Sequence, residues 1–415
     1  MNSSEINDDE HGAPPAPAPV PAPAPDALAV SFLPESQLQE DSAHSVLISL
    51  LRGAAAIQVA AAHLRSEFFP GLRTLDEPAL WYQALAFFTG FAHQAVVVFF
   101  LISGWLVGGS LLNKLGRPDA LKLYAIDRVT RLWTVLGPTF VLMLALAIVT
   151  DQIQPGVVDF SPTNSYSATT LAGNLLGLQT ISVPQFGGNY PLWSLANETW
   201  YYVLFPLVAL LWTARGWTAR IVPVAALVAI VAWLPLAMLL YFSIWLLGAG
   251  FSRVRIHCSG RSKLLLLILL ISVAVYFRLT GLNDDQNSRS FPQDLMFSLP
   301  FLLLLSACAG KLDPRRTWIW RVKAVATWFS NFSFTLYVVH LPVLALMAHV
   351  GTAFFGRAQL EPQRLAHLGV YMAMLLFVLA FAFGFYRLFE ARTHRLRTLV
   401  KQAALGTTVR AQPAA

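Results

Sequence analysis

The sequence predicts an all-α fold, a polytopic membrane bundle of about ten transmembrane helices with both termini cytoplasmic. Three observations predict it. Hydrophobic residues make up 56% of the chain and charged residues only 12%, against about 25% charged in an average soluble domain. Apolar segments recur from end to end, and Lys and Arg alternate from side to side between them. Ten segments are long or apolar enough to span: 44–64, 84–112, 131–150, 191–212, 218–236, 238–252, 263–280, 294–310, 328–350 and 366–389. Of the 29 lysines and arginines, 22 fall on one side of this arrangement and six on the other, with Arg52 inside a span. Cytoplasmic flanks collect such residues, so the richer side, which includes both termini, is expected inside.

The elements follow in order. Residues 1–43 are acidic and carry a Pro-Ala run from Ala13 to Pro25, which favours extended polyproline structure and builds no core; they read as a disordered cytoplasmic tail. No basic n-region or small-residue cleavage site precedes an apolar stretch near the start, so targeting falls to the first membrane helix. Residues 44–390 read as one integral domain and 391–415 as a short basic cytoplasmic tail. The net charge of +7 follows from this topology and calls for no nucleic-acid partner. Cys258 and Cys308 lack disulfide or metal spacing, and no metal constellation emerges from the histidines.

Polar residues inside apolar spans carry the functional signal, because a charge placed there is costly. Arg52 and His63 lie eleven residues apart in the first span. At 100° per residue that is three turns plus about 20°, so both project from one face, roughly 16 Å apart along the axis. The fourth span runs inward from Pro191 and puts Glu198 about two turns down, near the depth of His63. A carboxylate facing an imidazole makes a general-base pair; pairing of Glu198 with an arginine is the other reading. Arg128 and Arg131, one turn apart at the start of the third span, suit bidentate grip on phosphates, although positive-inside anchoring also accounts for them. Ser103 and Gly104 mark a point of close helix approach. Tyr337 and His340 share a face of the ninth span, and His340 lies near mid-membrane; His93 carries less weight. The loop from Asp151 to Tyr190 has no Lys or Arg and is dotted with aromatics. Its 171–181 stretch is amphipathic enough to lie along the outer surface, and the loop fits either a carbohydrate acceptor or a plain linker.

Five ordered motifs resemble acyltransferase family 3, the membrane acyltransferases that O-acetylate bacterial surface polysaccharides. Arg52 with ten residues before His63 is similar to the family's Arg/Lys-x10-His signature, Phe99 to Gly108 to its Phe-Phe-x-x-Ser-Gly stretch, and Arg128 to Arg131 to its Arg-x-x-Arg. Pro191 to Tyr202, which contains Trp193 and Glu198, and Ser333 to His340 complete the series. Thr199 stands where many members carry a second acidic residue, and the sequence shows no fused esterase-like domain after its last span, which implies a stand-alone membrane module. The resemblance implies a multi-pass protein of the bacterial inner membrane whose donor is acyl-CoA, most often acetyl-CoA. Its acceptor would be a glycan or lipid-linked saccharide at the outer surface. Arg52, Arg128 and Arg131 would bind the donor, His63 and Glu198 would catalyse, and Ser103, Trp193, Tyr337 and His340 would line the substrate path. A transporter using Arg52, His63, Glu198 and His340 as a proton or ion relay is the alternative.

Overall fold

The computed structural model of the protein describes residues 28–36, 38, 42–214, 216–281, 286–312, 315–356 and 359–405. Most of the expected N-terminal tail, residues 1–27, and the end of the C-terminal tail, residues 406–415, therefore lie outside the described residues.

Among the described residues strand β1 (Ala29–Phe32) comes first and leads to helix α1 (Ala43–Phe68), whose first turn is capped where the Ser45 amide donates to the Ser42 hydroxyl. Helix α2 (Leu80–Phe88) leads into α3 (Ala92–Ser103), which continues through a π-helical turn at Gly104–Gly108 into α4 (Gly109–Leu112). After α5 (Ala120–Val149) a long connection contains the short α6 (Ala168–Leu175) and a 3-10 turn at Phe186–Gly188 before α7 (Leu192–Thr213). Helices α8 (Thr218–Trp233) and α9 (Leu236–Phe251), separated by Leu234 and Pro235, lead to strand β2 (Val254–His257). The rest is α10 (Gly260–Thr280), α11 (Phe291–Ala307), α12 (Thr317–Asn331), α13 (Ser333–Phe355), α14 (Ala366–Leu388) and α15 (Thr393–Leu405). Helices dominate because an apolar environment supplies no partner for backbone groups, and a helix satisfies them within one segment.

Every expected span coincides with helix, but the count of ten is not reproduced. Among the described residues six helical stretches are long and apolar enough to cross a membrane, and α8, α9 and α11 are apolar but shorter. Helix α7 is not among the six, and Asn197, Glu198 and Thr199 interrupt its apolar character. The ninth expected span, 328–350, is cut at Phe332. Residues before the break belong to α12, which carries Arg321 and Lys323 among apolar residues, and α13 starts at Ser333. Gly53 lets α12 approach α1 closely, since a Cβ there would stand 2.7 Å from that of Phe329.

Two further differences concern the ends. Residues 29–32, placed by sequence in the tail, pair antiparallel with β2, from Ala29 opposite His257 to Phe32 opposite Val254. The segment is held further by Asn113, which accepts from the Ser36 amide at 2.9 Å and donates to its carbonyl at 2.8 Å. Four residues are too few for alternation to show as a strand. Part of the expected C-terminal tail is the helix α15, which packs along α5.

The core has two parts. One fills the space between α1, α3, α5, α7, α9, α11 and α13, and the other lies between α1, α13 and α14. Helix α10 buries none of its residues and leaves Leu264, Leu265, Ile268, Leu269 and Ile271 about half exposed. A water-facing surface of that kind would be an aggregation site, whereas lipid covers it without cost.

Candidate functional site

Two cavities in the bundle, among the described residues, gather most of the polar side chains singled out in the sequence. One lies toward the end where α1, α5 and α13 begin and α14 finishes, here the basic end; the other lies toward the end that carries the 151–190 connection, here the loop end. The basic-end cavity is about 360 Å³ and the loop-end cavity about 810 Å³. Val96 and Tyr337 line both.

The basic-end cavity gathers Arg52, Arg128 and Arg131 with Ser103, Glu198, Tyr202 and Ser333. Arg52 donates weakly to the Ser333 hydroxyl at 3.4 Å. The two arginines of the third expected span are not equivalent. Arg131 is ion-paired to the buried Glu390 at 3.0 Å, and the other oxygen of Glu390 accepts from the Thr335 hydroxyl at 2.6 Å and its amide at 3.2 Å, which fixes the start of α13. Arg128 has no carboxylate partner among the described residues. It lies over the ring of Tyr202 at 5.4 Å and that of Tyr124 at 6.0 Å, a contact that leaves its charge free for an anion.

Glu198 belongs to this cavity, and the expected His63–Glu198 pair does not form. One oxygen of Glu198 accepts from the Ser103 hydroxyl at 2.6 Å and from the Tyr202 hydroxyl, while Trp245 donates to Ser103 at 3.1 Å. Similar depth on two helices did not bring the groups together, because the α7 face that carries Glu198 turns toward Ser103 on α3. Ser103 therefore serves hydrogen bonding, and the close approach falls to its neighbour. A Cβ on Gly104 would overlap the Trp245 carbonyl, as one on Gly248 would overlap that of Leu101, so α3 and α9 touch backbone to backbone there. The intervening π turn is a feature often found at functional sites.

At the loop end His63 pairs with His340, Nδ1 to Nε2 at 2.8 Å, with the rings stacked. The fully buried His340 holds its own Nδ1 3.1 Å from the Leu336 carbonyl. A carbonyl only accepts, so a neutral His340 carries its proton on Nδ1 and accepts on Nε2. His63 then donates from Nδ1 and keeps its lone pair on Nε2. The ring of Tyr190 meets His63 edge-on, centroids 4.9 Å apart. Burial, reinforced by the charge of Glu67, pushes the Tyr190 hydroxyl up to about 12, so it remains a neutral donor at physiological pH.

The same cavity is lined by the amides of Gln185, Asn197, Gln286 and Asn287 and by Trp193. Thr180, Gln185 and Tyr190 come from the 151–190 connection, whose first part is largely exposed. Its helix covers only the first part of the 171–181 stretch expected along the outer surface, ending at Leu175, and the residues after it fold inward. Asn174 donates to the carbonyls of Thr170 and Pro184 and accepts from the Phe186 amide, and Asn189 donates to the Val338 carbonyl at 3.0 Å. Tyr337, at the junction of the cavities, shares a 2.7 Å hydrogen bond with Ser194.

The partners of His93, given less weight in the sequence, escaped sequence reading. His93 contacts both oxygens of Asp294 at 2.7 and 2.8 Å, and the Tyr241 hydroxyl donates to the same carboxylate, tying α3, α9 and α11 together. His93 also lines the loop-end cavity. Asp294 lies in the first turn of α11, where an acidic residue reads as ordinary helix chemistry. Among the described residues no three His, Cys, Asp or Glu side chains converge as a metal site requires.

The sequence profile described as an acyltransferase domain matches residues 46–387. No curated protein and no solved structure matches the chain.

Proposed function

The chain belongs to the acyltransferase domain family, whose match covers most of its length, and from that premise we propose that it is an acyl-CoA-dependent O-acyltransferase of surface glycans. The observation that carries this reading is the pair of cavities that share Val96 and Tyr337, one lined by Arg52, Arg128 and Arg131 and the other by amides and aromatic rings together with Arg65 and Arg278. Guanidiniums at the basic end suit the phosphates of a nucleotide-bearing donor. Amides and aromatic rings at the loop end suit the hydroxyls and ring faces of a saccharide or lipid-linked saccharide. In this reading the membrane is a bacterial inner membrane, and the basic end and both termini face the cytoplasm, in keeping with the positive-inside rule.

In this reading the acyl thioester, acetyl in the simplest case, reaches from Arg52 and Arg128 past Tyr337 toward His63. The Nε2 lone pair of His63 takes the proton of the acceptor hydroxyl as its oxygen attacks the thioester carbonyl. The carbon–sulfur bond then breaks, and the coenzyme A thiolate leaves and recovers a proton. Transient acylation of His63 would start from the same lone pair, and rapid acid quench for an acyl-enzyme separates the two routes. His340 holds the His63 tautomer, and Glu198 orders Ser103 and Tyr202 beside the donor.

The test is thiol release from acetyl-CoA by the purified protein in nanodiscs, with and without a glycan acceptor. Acceptor-dependent release is expected, and His63→Ala should abolish it at unchanged membrane abundance. Full transfer by that variant removes His63 from the chemistry. Substrate flux into proteoliposomes without thiol release would restore the relay through Arg52, His63, Glu198 and His340, which membership of an acyltransferase family does not favour.

A further inference from the structure

We infer that the C-terminal helix α15 completes the donor site, with Arg397 as an additional phosphate-binding residue. This inference rests on the proposed acyl-CoA donor. Arg397 lines the basic-end cavity together with Arg52, Arg128 and Arg131, although it is distant in sequence and lies beyond the residues that the family profile matches.

Helix α15 is fixed against α5 at two points. Asp127 receives Lys401 at 2.6 Å and Arg397 Nε at 3.4 Å, and Lys122 donates to the Ala404 carbonyl at 2.5 Å. Asp127 is thus shared by two cations, and the closer is Lys401, which does not line the cavity. Arg397 is engaged only through Nε among the described residues, which leaves the two terminal nitrogens of its fork for another acceptor. Charge accounting points to what that acceptor is. Four guanidiniums line the cavity. Glu198 is a carboxylate lining the same space, Glu390 answers Arg131, Asp127 is divided between Arg397 and Lys401, and Arg128 has an aromatic neighbour in place of a carboxylate, so the guanidiniums still outnumber the carboxylates. Such an excess of forked cations around a half-enclosed space fits a ligand with several phosphate oxygens.

The Asp127 pair provides an internal control, because Arg397 and Lys401 hold the same helix to the same carboxylate and only Arg397 reaches the cavity. Arg397→Gln should raise the Michaelis constant for acetyl-CoA about tenfold and leave that for S-acetyl-pantetheine, which lacks the nucleotide, unchanged. Lys401→Gln should leave both constants near wild type. Arg397→Lys keeps the charge without the fork and should fall between. Binding of coenzyme A itself, measured by calorimetry, is compared for wild type and Arg397→Gln. Failure of the wild type to turn over acetyl-CoA while still binding coenzyme A would overturn the proposed reaction and leave the helix assignment standing. Equal coenzyme A affinities in wild type and Arg397→Gln, or equal losses in Arg397→Gln and Lys401→Gln, would overturn the helix assignment.

Discussion

At the scale of single residues, the chain of hydrogen bonds from the Leu336 carbonyl through His340 to His63 decides which nitrogen of His63 is basic. His340→Phe removes the acceptor for His63 Nδ1 and should lower kcat about a hundredfold, with the Michaelis constant for the donor unchanged. His340→Gln offers a carbonyl oxygen to the same N–H and should recover most of the rate. Steady-state kinetics on the two variants distinguishes tautomer control from simple packing, since a packing role would penalise Gln as much as Phe. Arg52, His63, Glu198 and His340 were legible in the sequence because ionisable groups stand out in apolar stretches. Their partners were not. Depth along a helix follows from residue number, but the facing neighbour follows from how the helix is rotated about its axis, and that is set by the packing of the whole bundle. Glu198 therefore went to Ser103 and Tyr202, and His63 to a histidine 277 positions away. The His93–Asp294 contact spans 201 positions between two residues that each look ordinary in their own helices.

At the scale of elements, the crossing of α3 with α9 rests on missing side chains. Gly248→Val would force a Cβ into the Leu101 carbonyl and should cost about 3 kcal/mol, at the upper end of overpacking penalties. Gly250→Ala, two residues on in open space, should cost far less, and thermal melts of the two variants in detergent provide the comparison. A shift of that crossing would also move Ser103, so activity should fall with stability in the first variant only. The helices themselves were readable from the lengths of apolar runs. The break at Phe332 and the β1–β2 pairing were not, since one is a local turn inside an apolar run and the other a four-residue strand whose partner lies more than two hundred residues away.

At the scale of the whole molecule, the two ends differ in charge and in the chemistry of their cavities, which makes the topology testable. A cysteine at Thr163, exposed in the 151–190 connection, should react with an impermeant maleimide added to intact spheroplasts, and one at Gly116, exposed between α4 and α5, only after permeabilisation. The opposite pattern would reverse the direction of transfer proposed for the two cavities. One side chain finally links the halves in another way. Tyr337 is a party wall, and room gained by a guest on one side is taken from the guest on the other. In the proposed reaction acyl chain length and acceptor bulk would therefore compete for the same few ångströms, and a long acyl group should narrow the range of sugars that can receive it.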